Sequence, residues 1–76
     1  MDYQDNVILS DLAIKMFRLR RKVHVSLEEL SKRTGFSKEY IFDMESLAIP
    51  FTEEDALKIF SAYSNDELIK ANNHIR

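Results

Sequence analysis

The 76-residue chain contains no cysteine, one glycine and one proline. Without cysteine it can form neither disulfides nor thiolate metal sites, and we expect it in a reducing compartment, the cytoplasm. Glycine and proline interrupt helices and strands, so their scarcity, together with 45% hydrophobic residues, favours an all-α domain with short connections. The length predicts one domain over residues 1–76, with a core within about 10–72 and short flexible termini.

Features of secretion, membranes and catalysis are missing as well. The segment from Met1 to Asn6 is acidic and polar, unlike the basic and then apolar start of a signal peptide. No apolar run is long enough to span a membrane. The sequence has no pairing of nucleophile and base, no Gly-rich phosphate loop and no metal-ligand spacing around its two histidines. We therefore expect no enzyme activity, no cofactor, no metal and no membrane partner.

Charge is divided unevenly along the chain. Residues 12–38 contain eight Lys/Arg and two Asp/Glu, a net charge of +6, whereas residues 39–76 contain three Lys/Arg and eight Asp/Glu, a net charge of −5. The basic half can face phosphate, and the acidic half repels it. The sequence therefore predicts a surface with one positive and one negative side.

Apolar spacing and capping residues predict the first three helices. Apolar residues from Leu12 to Val23 recur at helical spacing and predict a first helix over about 10–22, which residues 7–9 either extend or precede as an arm. A capping box at Ser26 opens the second helix, and Gly35 ends it. Ser37 then caps a third helix over 38–46.

The second half of the chain follows the same pattern. Residues 47–51 form a connector, because Pro50 disfavours helical geometry in the residue before it. Thr52 and Ser64, each followed three positions later by an acidic residue, open a fourth and a fifth helix. The last helix ends near residue 72, and we expect residues 73–76 to fray.

A set of residues with characteristic spacing extends from the first helix to the end of the third. They are Leu19-Arg20, Ser26-x-x-Glu29-Leu30-Ser31, Gly35, Ser37, Ile41 and Glu45. Together with the helix order, they resemble the lambda-repressor-like (Cro/phage-repressor type) helix-turn-helix family over roughly residues 12–69. The resemblance implies a compact all-α five-helix domain in which Leu30 packs against Ile41 and Arg20 forms a structural ion pair with Glu45.

The resemblance also implies a function, that of a dimeric DNA-binding transcriptional regulator with helix 38–46 as the recognition helix. The residues expected to contact double-stranded DNA are Ser37, Lys38, Glu39, Tyr40, Asp43 and Ser46. Lys38 can bond guanine O6 and N7, and Glu39 can accept from the cytosine amino group. Tyr40 and Ser46 would lie near phosphates.

Other features of the same region favour binding to a protein. Helix 38–46 carries Glu39, Asp43 and Glu45 against a single cation, and residues 47–49 offer no charge to phosphate. Large apolar residues in this region predict a partner interface, although the sequence leaves open whether they are exposed or in the core. They are Phe42, Leu47, Ile49 and Phe51. The alternative function is therefore protein–protein binding, as an anti-repressor, adaptor or regulator subunit, to a second copy or another protein.

Overall fold

A computed structural model of the chain describes the backbone of residues 3–73 and the side chains of residues 9–71. Within these residues the fold is all-helical, with five helices and no strand. The helices are α1 (Tyr3–Val23), α2 (Leu27–Thr34), α3 (Lys38–Glu45), α4 (Glu53–Ser61) and α5 (Asn65–Asn73). Helix α1 packs against α3, α4 and α5, and α2 packs against α3 and α4. Of the termini predicted to be flexible, on either side of about 10–72, residues 3–9 and residue 73 are helical, and residues 1–2 and 74–76 lie outside the described residues.

Helix α1 is longer than the sequence predicts. It begins at Tyr3 instead of near Ser10, so residues 7–9 continue the helix and do not form an arm. No glycine or proline interrupts this segment, and Leu9 and Leu12 pack against the core. The helix ends where His24 adopts a left-handed conformation with φ 58°. None of the helices in the described part of the chain is long and apolar enough to cross a membrane.

Each of the other four helices begins at a hydroxyl cap. The Oγ atoms of Ser26, Ser37 and Ser64 and the Oγ1 atom of Thr52 each accept from the backbone N–H three residues later, at 3.0–3.1 Å. These hydrogen bonds satisfy amides that would otherwise lack a partner at the start of the helix. The helix starts predicted from the sequence are therefore confirmed.

Only one of the three predicted capping boxes is reciprocal, namely the box at Ser64, whose backbone N–H donates to Glu67. The Glu29 carboxylate accepts from Arg33, and the Asp55 carboxylate accepts from Tyr40, instead of reaching back to the cap. The reciprocal contacts expected at Ser26 and Thr52 are therefore replaced by contacts with other side chains. Arg33 also binds both oxygens of Glu67, which lowers the pKa of Glu67 to about 2 and ties α2 to the start of α5.

The turn between α2 and α3 holds these two helices against each other. Gly35 has φ 84°, a conformation that glycine adopts without strain, and its N–H donates to the Ser31 carbonyl. The Ser31 hydroxyl donates to the Phe36 carbonyl at 2.6 Å, and the buried Thr34 hydroxyl donates to the Leu30 carbonyl at 2.9 Å. The largest fully buried side chains of the domain lie in the single core that this packing creates. They are Met16, Leu30, Ile41, Met44 and Ile59.

Candidate functional site on helix α3

Five of the side chains expected to contact DNA lie at the surface of α3 or at its ends. Ser37, Lys38, Glu39 and Ser46 are exposed, and Asp43 is half-buried. The two hydroxyls make local contacts: the Ser37 Oγ caps the helix, and the Ser46 Oγ donates to the Phe42 carbonyl at 2.8 Å. Lys38, Glu39 and Asp43 form no ion pair with any residue of the described chain. These three charged groups are thus available to a partner.

Tyr40, which the sequence places near phosphate, turns toward α4 instead. Its hydroxyl donates to the Asp55 carboxylate at 2.5 Å, and its ring meets the Phe36 ring edge to face at 5.1 Å. The hydrogen bond to Asp55, followed by burial, raises the pKa of Tyr40 to about 12. The hydroxyl proton of Tyr40 is engaged by Asp55 instead of being free for a phosphate, and the phosphate role of Tyr40 stays a prediction. Tyr40 links α3 to α4.

The same contact brings negative charge close to α3. Asp55 belongs to the first turn of α4, which also carries Glu53 and Glu54, both exposed. This turn therefore adds carboxylates on the side of α3 where Tyr40 lies, and Lys38 is the one cation of α3. A duplex that approaches α3 would meet more repulsion than attraction from this side.

Arg20 and Glu45 form a bidentate ion pair that fixes α3 against α1. The Arg20 Nε and Nη2 atoms donate to the two Glu45 carboxylate oxygens at 2.8 and 2.9 Å, and Nη1 donates to the Val25 carbonyl at 3.3 Å. The Glu45 side chain is 3% exposed. Hydrogen bonding to Glu45 raises the pKa of Arg20 above its ordinary value. This geometry is the one expected from the resemblance, and it sets the orientation of α3.

The four apolar residues predicted as a partner interface occupy different environments. Phe42 is 55% exposed and Leu47 is 46% exposed, whereas Ile49 is half-buried. Phe51 is only 7% exposed and belongs to the core cluster. The interface role predicted for Phe51 is therefore corrected, because the connector after α3 folds back and places its ring inside the domain.

Phe17 is a surface aromatic residue that the sequence pattern did not assign to any interface. It lies on α1 opposite Phe42, and the two rings line a groove that also includes Arg20, Glu45 and Ser46. Its position three residues before Arg20 places it beside the face of α1 that contacts α3. That spacing was visible in the sequence, but the proximity of Phe17 to Phe42 depends on how α1 and α3 pack.

The loop after α3 contains a residue, Leu47, whose backbone conformation is strained. Leu47 has φ 58°, a left-handed conformation that costs a residue with a side chain about 1–2 kcal/mol.

Leu47→Gly is expected to raise the free energy of unfolding by about 0.5–1 kcal/mol, measured by urea denaturation. Leu57→Gly is the matched control, since Leu57 is similarly exposed but helical, and should cost about 1 kcal/mol. A loss of stability in Leu47→Gly would mean that packing of the Leu47 side chain outweighs the strain.

Comparison with known proteins gives no match: no protein-family model, no curated protein and no solved structure matches this chain. Among the described residues, no three His, Asp or Glu side chains are placed to hold a metal ion. The features of the chain that bear on its function are therefore the geometry and charge of the α2–α3 unit and of its neighbours.

Proposed function

We propose that the chain is a DNA-binding transcriptional regulator with a lambda-repressor-like helix-turn-helix fold, and that α3 is its recognition helix. The observation that carries this proposal is the rigid mounting of α3. The Gly35 turn holds one end of α3 against α2, and the Arg20–Glu45 pair holds the other end against α1. A recognition helix needs such support, because base contacts demand accurate placement of short side chains.

The charged side chains of α3 indicate which bases this helix would contact. Lys38 is suited to the O6 and N7 atoms of guanine, while Glu39 and Asp43 can accept from the amino group of cytosine. Because few cations face the duplex, few counterions are released on binding. Binding should therefore depend on base contacts more than on phosphate contacts, and the affinity should fall only gently as salt increases.

Two substitutions in α3 test the proposal. Lys38→Ala should weaken binding to a duplex several-fold, because it removes the one cation of α3. Asp43→Asn should strengthen binding to mixed-sequence duplexes, because it removes a negative charge near phosphate. Fluorescence anisotropy of labelled duplexes at about 50 and 200 mM salt measures both effects.

The matched controls for these substitutions lie on α5, which packs against α1 and not against α3. Lys70→Ala and Asp66→Asn change the same charges at exposed positions and should leave binding unaltered. If the α3 and α5 variants behave alike, or if no duplex binds at the lower salt concentration, α3 does not enter a groove.

A second candidate function, binding of another protein through α3, is favoured by one specific observation. The exposed surface of α3 combines the apolar Phe42 with acidic residues, and the start of α4 adds more acidic residues beside it. Apolar groups without surrounding cations are typical of a protein interface rather than a DNA-binding surface. This candidate predicts that Phe42→Ser abolishes the protein complex, whereas Lys38→Ala leaves it intact.

A further inference from the structure

The groove between α1 and α3 is an apolar surface with no segment of the described chain lying over it. Phe17, which is 40% exposed, forms its α1 side, and Phe42 forms its α3 side. The Arg20–Glu45 ion pair lies between the two rings. The groove has a volume of about 260 Å³, which is below the usual range for small-molecule sites. It is therefore better suited to side chains of a macromolecule than to a ligand of its own.

The outer edge of the groove on α1 is basic. Arg21 follows Phe17 by four residues, and its guanidinium carbon lies 5.4 Å from the centre of the Phe17 ring. Arg18 lies next to Arg21 around the helix, on the side away from α3. Both arginines are exposed, and neither forms an ion pair within the described chain. We call Arg18 and Arg21 the basic rim.

The outer edge of the groove on α3 is acidic. Around the axis of α3, Glu45 faces α1 and Tyr40 faces α4, with Phe42 and then Asp43 between them. Glu39 precedes Asp43 by four residues and lies on the same side. Glu39 and Asp43 therefore lie farther from α1 than Phe42 does. We call these two residues the acidic rim. The one cation of α3, Lys38, lies a turn earlier, on the side of Phe42 that faces α1.

Across this surface the order is a basic rim, two aromatic rings and an acidic rim. A twofold axis that runs along the groove would place the basic rim of one molecule opposite the acidic rim of another, with the four rings at the centre. An acidic partner would be repelled by Glu39 and Asp43, and a basic partner by Arg18 and Arg21. In a second copy of the same surface, an acidic rim faces the basic rim and a basic rim faces the acidic rim, so both contacts are attractive.

We propose that two copies of this chain associate through the Phe17–Phe42 groove in a twofold arrangement. The centre is small, so we expect a weak, transient dimer. The dimer covers Phe42, Glu39 and Asp43. Self-association and insertion of α3 into DNA therefore exclude each other, and the dimer is a state in which α3 is masked.

Charge reversal of each rim provides the test, with sedimentation velocity from about 1 µM to 1 mM as the measurement. Arg18→Glu with Arg21→Glu makes both rims acidic, and Glu39→Lys with Asp43→Lys makes both rims basic. Each double variant alone should be monomeric, with its dissociation constant raised more than about tenfold. An equimolar mixture of the two should form a heterodimer, because every rim contact then joins opposite charges.

The matched control is Lys32→Glu with Lys70→Glu. It makes the same charge change at exposed positions of α2 and α5, and neither residue lines the groove or belongs to α1. This control should dimerise like the unaltered protein. Circular dichroism melts verify that all variants are folded, which is expected because the altered side chains are exposed or half-buried.

Three results would overturn the proposal: a monomer at every concentration, a dimer that tolerates reversal of either rim, or a mixture that stays monomeric. Because no DNA is present in this experiment, its outcome is independent of the proposed DNA binding. If the free protein is monomeric at every concentration and a duplex binds it in the separate anisotropy experiment, the dimer is rejected and the regulator function stands.

Discussion

Arg20→Ala is expected to lower the free energy of unfolding by about 2–4 kcal/mol, although Arg20 lies partly at the surface. The substitution leaves the Glu45 carboxylate, which is almost fully buried, without the guanidinium that binds both of its oxygens. It also removes the donor to the Val25 carbonyl. Chemical denaturation followed by circular dichroism measures the change.

Two further variants distinguish this ion pair from a general effect of removing an arginine. Arg18→Ala removes an exposed arginine two positions earlier in α1 and should change stability by no more than about 0.5 kcal/mol. Glu45→Gln in the Arg20→Ala background should recover part of the loss, because no unpaired charge then remains buried. An unchanged melt for Arg20→Ala would mean that solvent replaces the pair at no cost.

Phe51→Ala is expected to destabilise the domain by about 3–5 kcal/mol, whereas Phe42→Ala should cost less than about 1 kcal/mol. The two residues are the same type and lie nine positions apart, but Phe51 packs within the core and Phe42 is more than half exposed. Urea denaturation of both variants measures the difference. Equal losses would place both rings in the core and would remove Phe42 from any interface.

The two proposals for α3 make opposite use of the same residues. In DNA binding, Glu39 and Asp43 must find cytosine amino groups, because they would otherwise face phosphate. In self-association, the same carboxylates face Arg18 and Arg21 of a second copy. Phe17 lies on α1 and is not among the residues expected to contact DNA, so its substitution separates the two: Phe17→Ser should weaken the dimer and leave the affinity of the monomer for DNA unchanged.

The helix boundaries could be predicted from the sequence because a cap forms between residues three positions apart. Ser26, Ser37 and Thr52 each precede a helix by one residue, and Gly35 ends α2 in the left-handed conformation expected of it. The start of α1 was predicted less well. No glycine or proline separates residues 3–9 from the rest of the helix, and the sequence was interpreted as a helix that starts near Ser10.

Side-chain partners between helices were harder to predict than helix boundaries. The capping-box pattern predicts that the Asp55 carboxylate accepts from the backbone at the start of its own helix. It gives no indication that the Tyr40 hydroxyl of α3 donates to this carboxylate instead. The pairing of Arg20 with Glu45 was expected only because the resemblance to a known family implied it. The carboxylates of Glu29 and Asp55 had two partners within reach, and the surrounding side chains determined which one each accepts.

The residue types and their spacing were sufficient to establish an all-helical chain with caps at the starts of α2 to α5, because those interactions are local. Which side chains are buried, and which lie close together, depends instead on contacts between segments that are far apart in the sequence. Phe51 and Phe42 are chemically identical, and their different exposure arises from the way the connector folds back over the core. Phe17 and Phe42 are 25 positions apart in the chain. They share a groove because the Arg20–Glu45 pair and the common core hold α1 against α3.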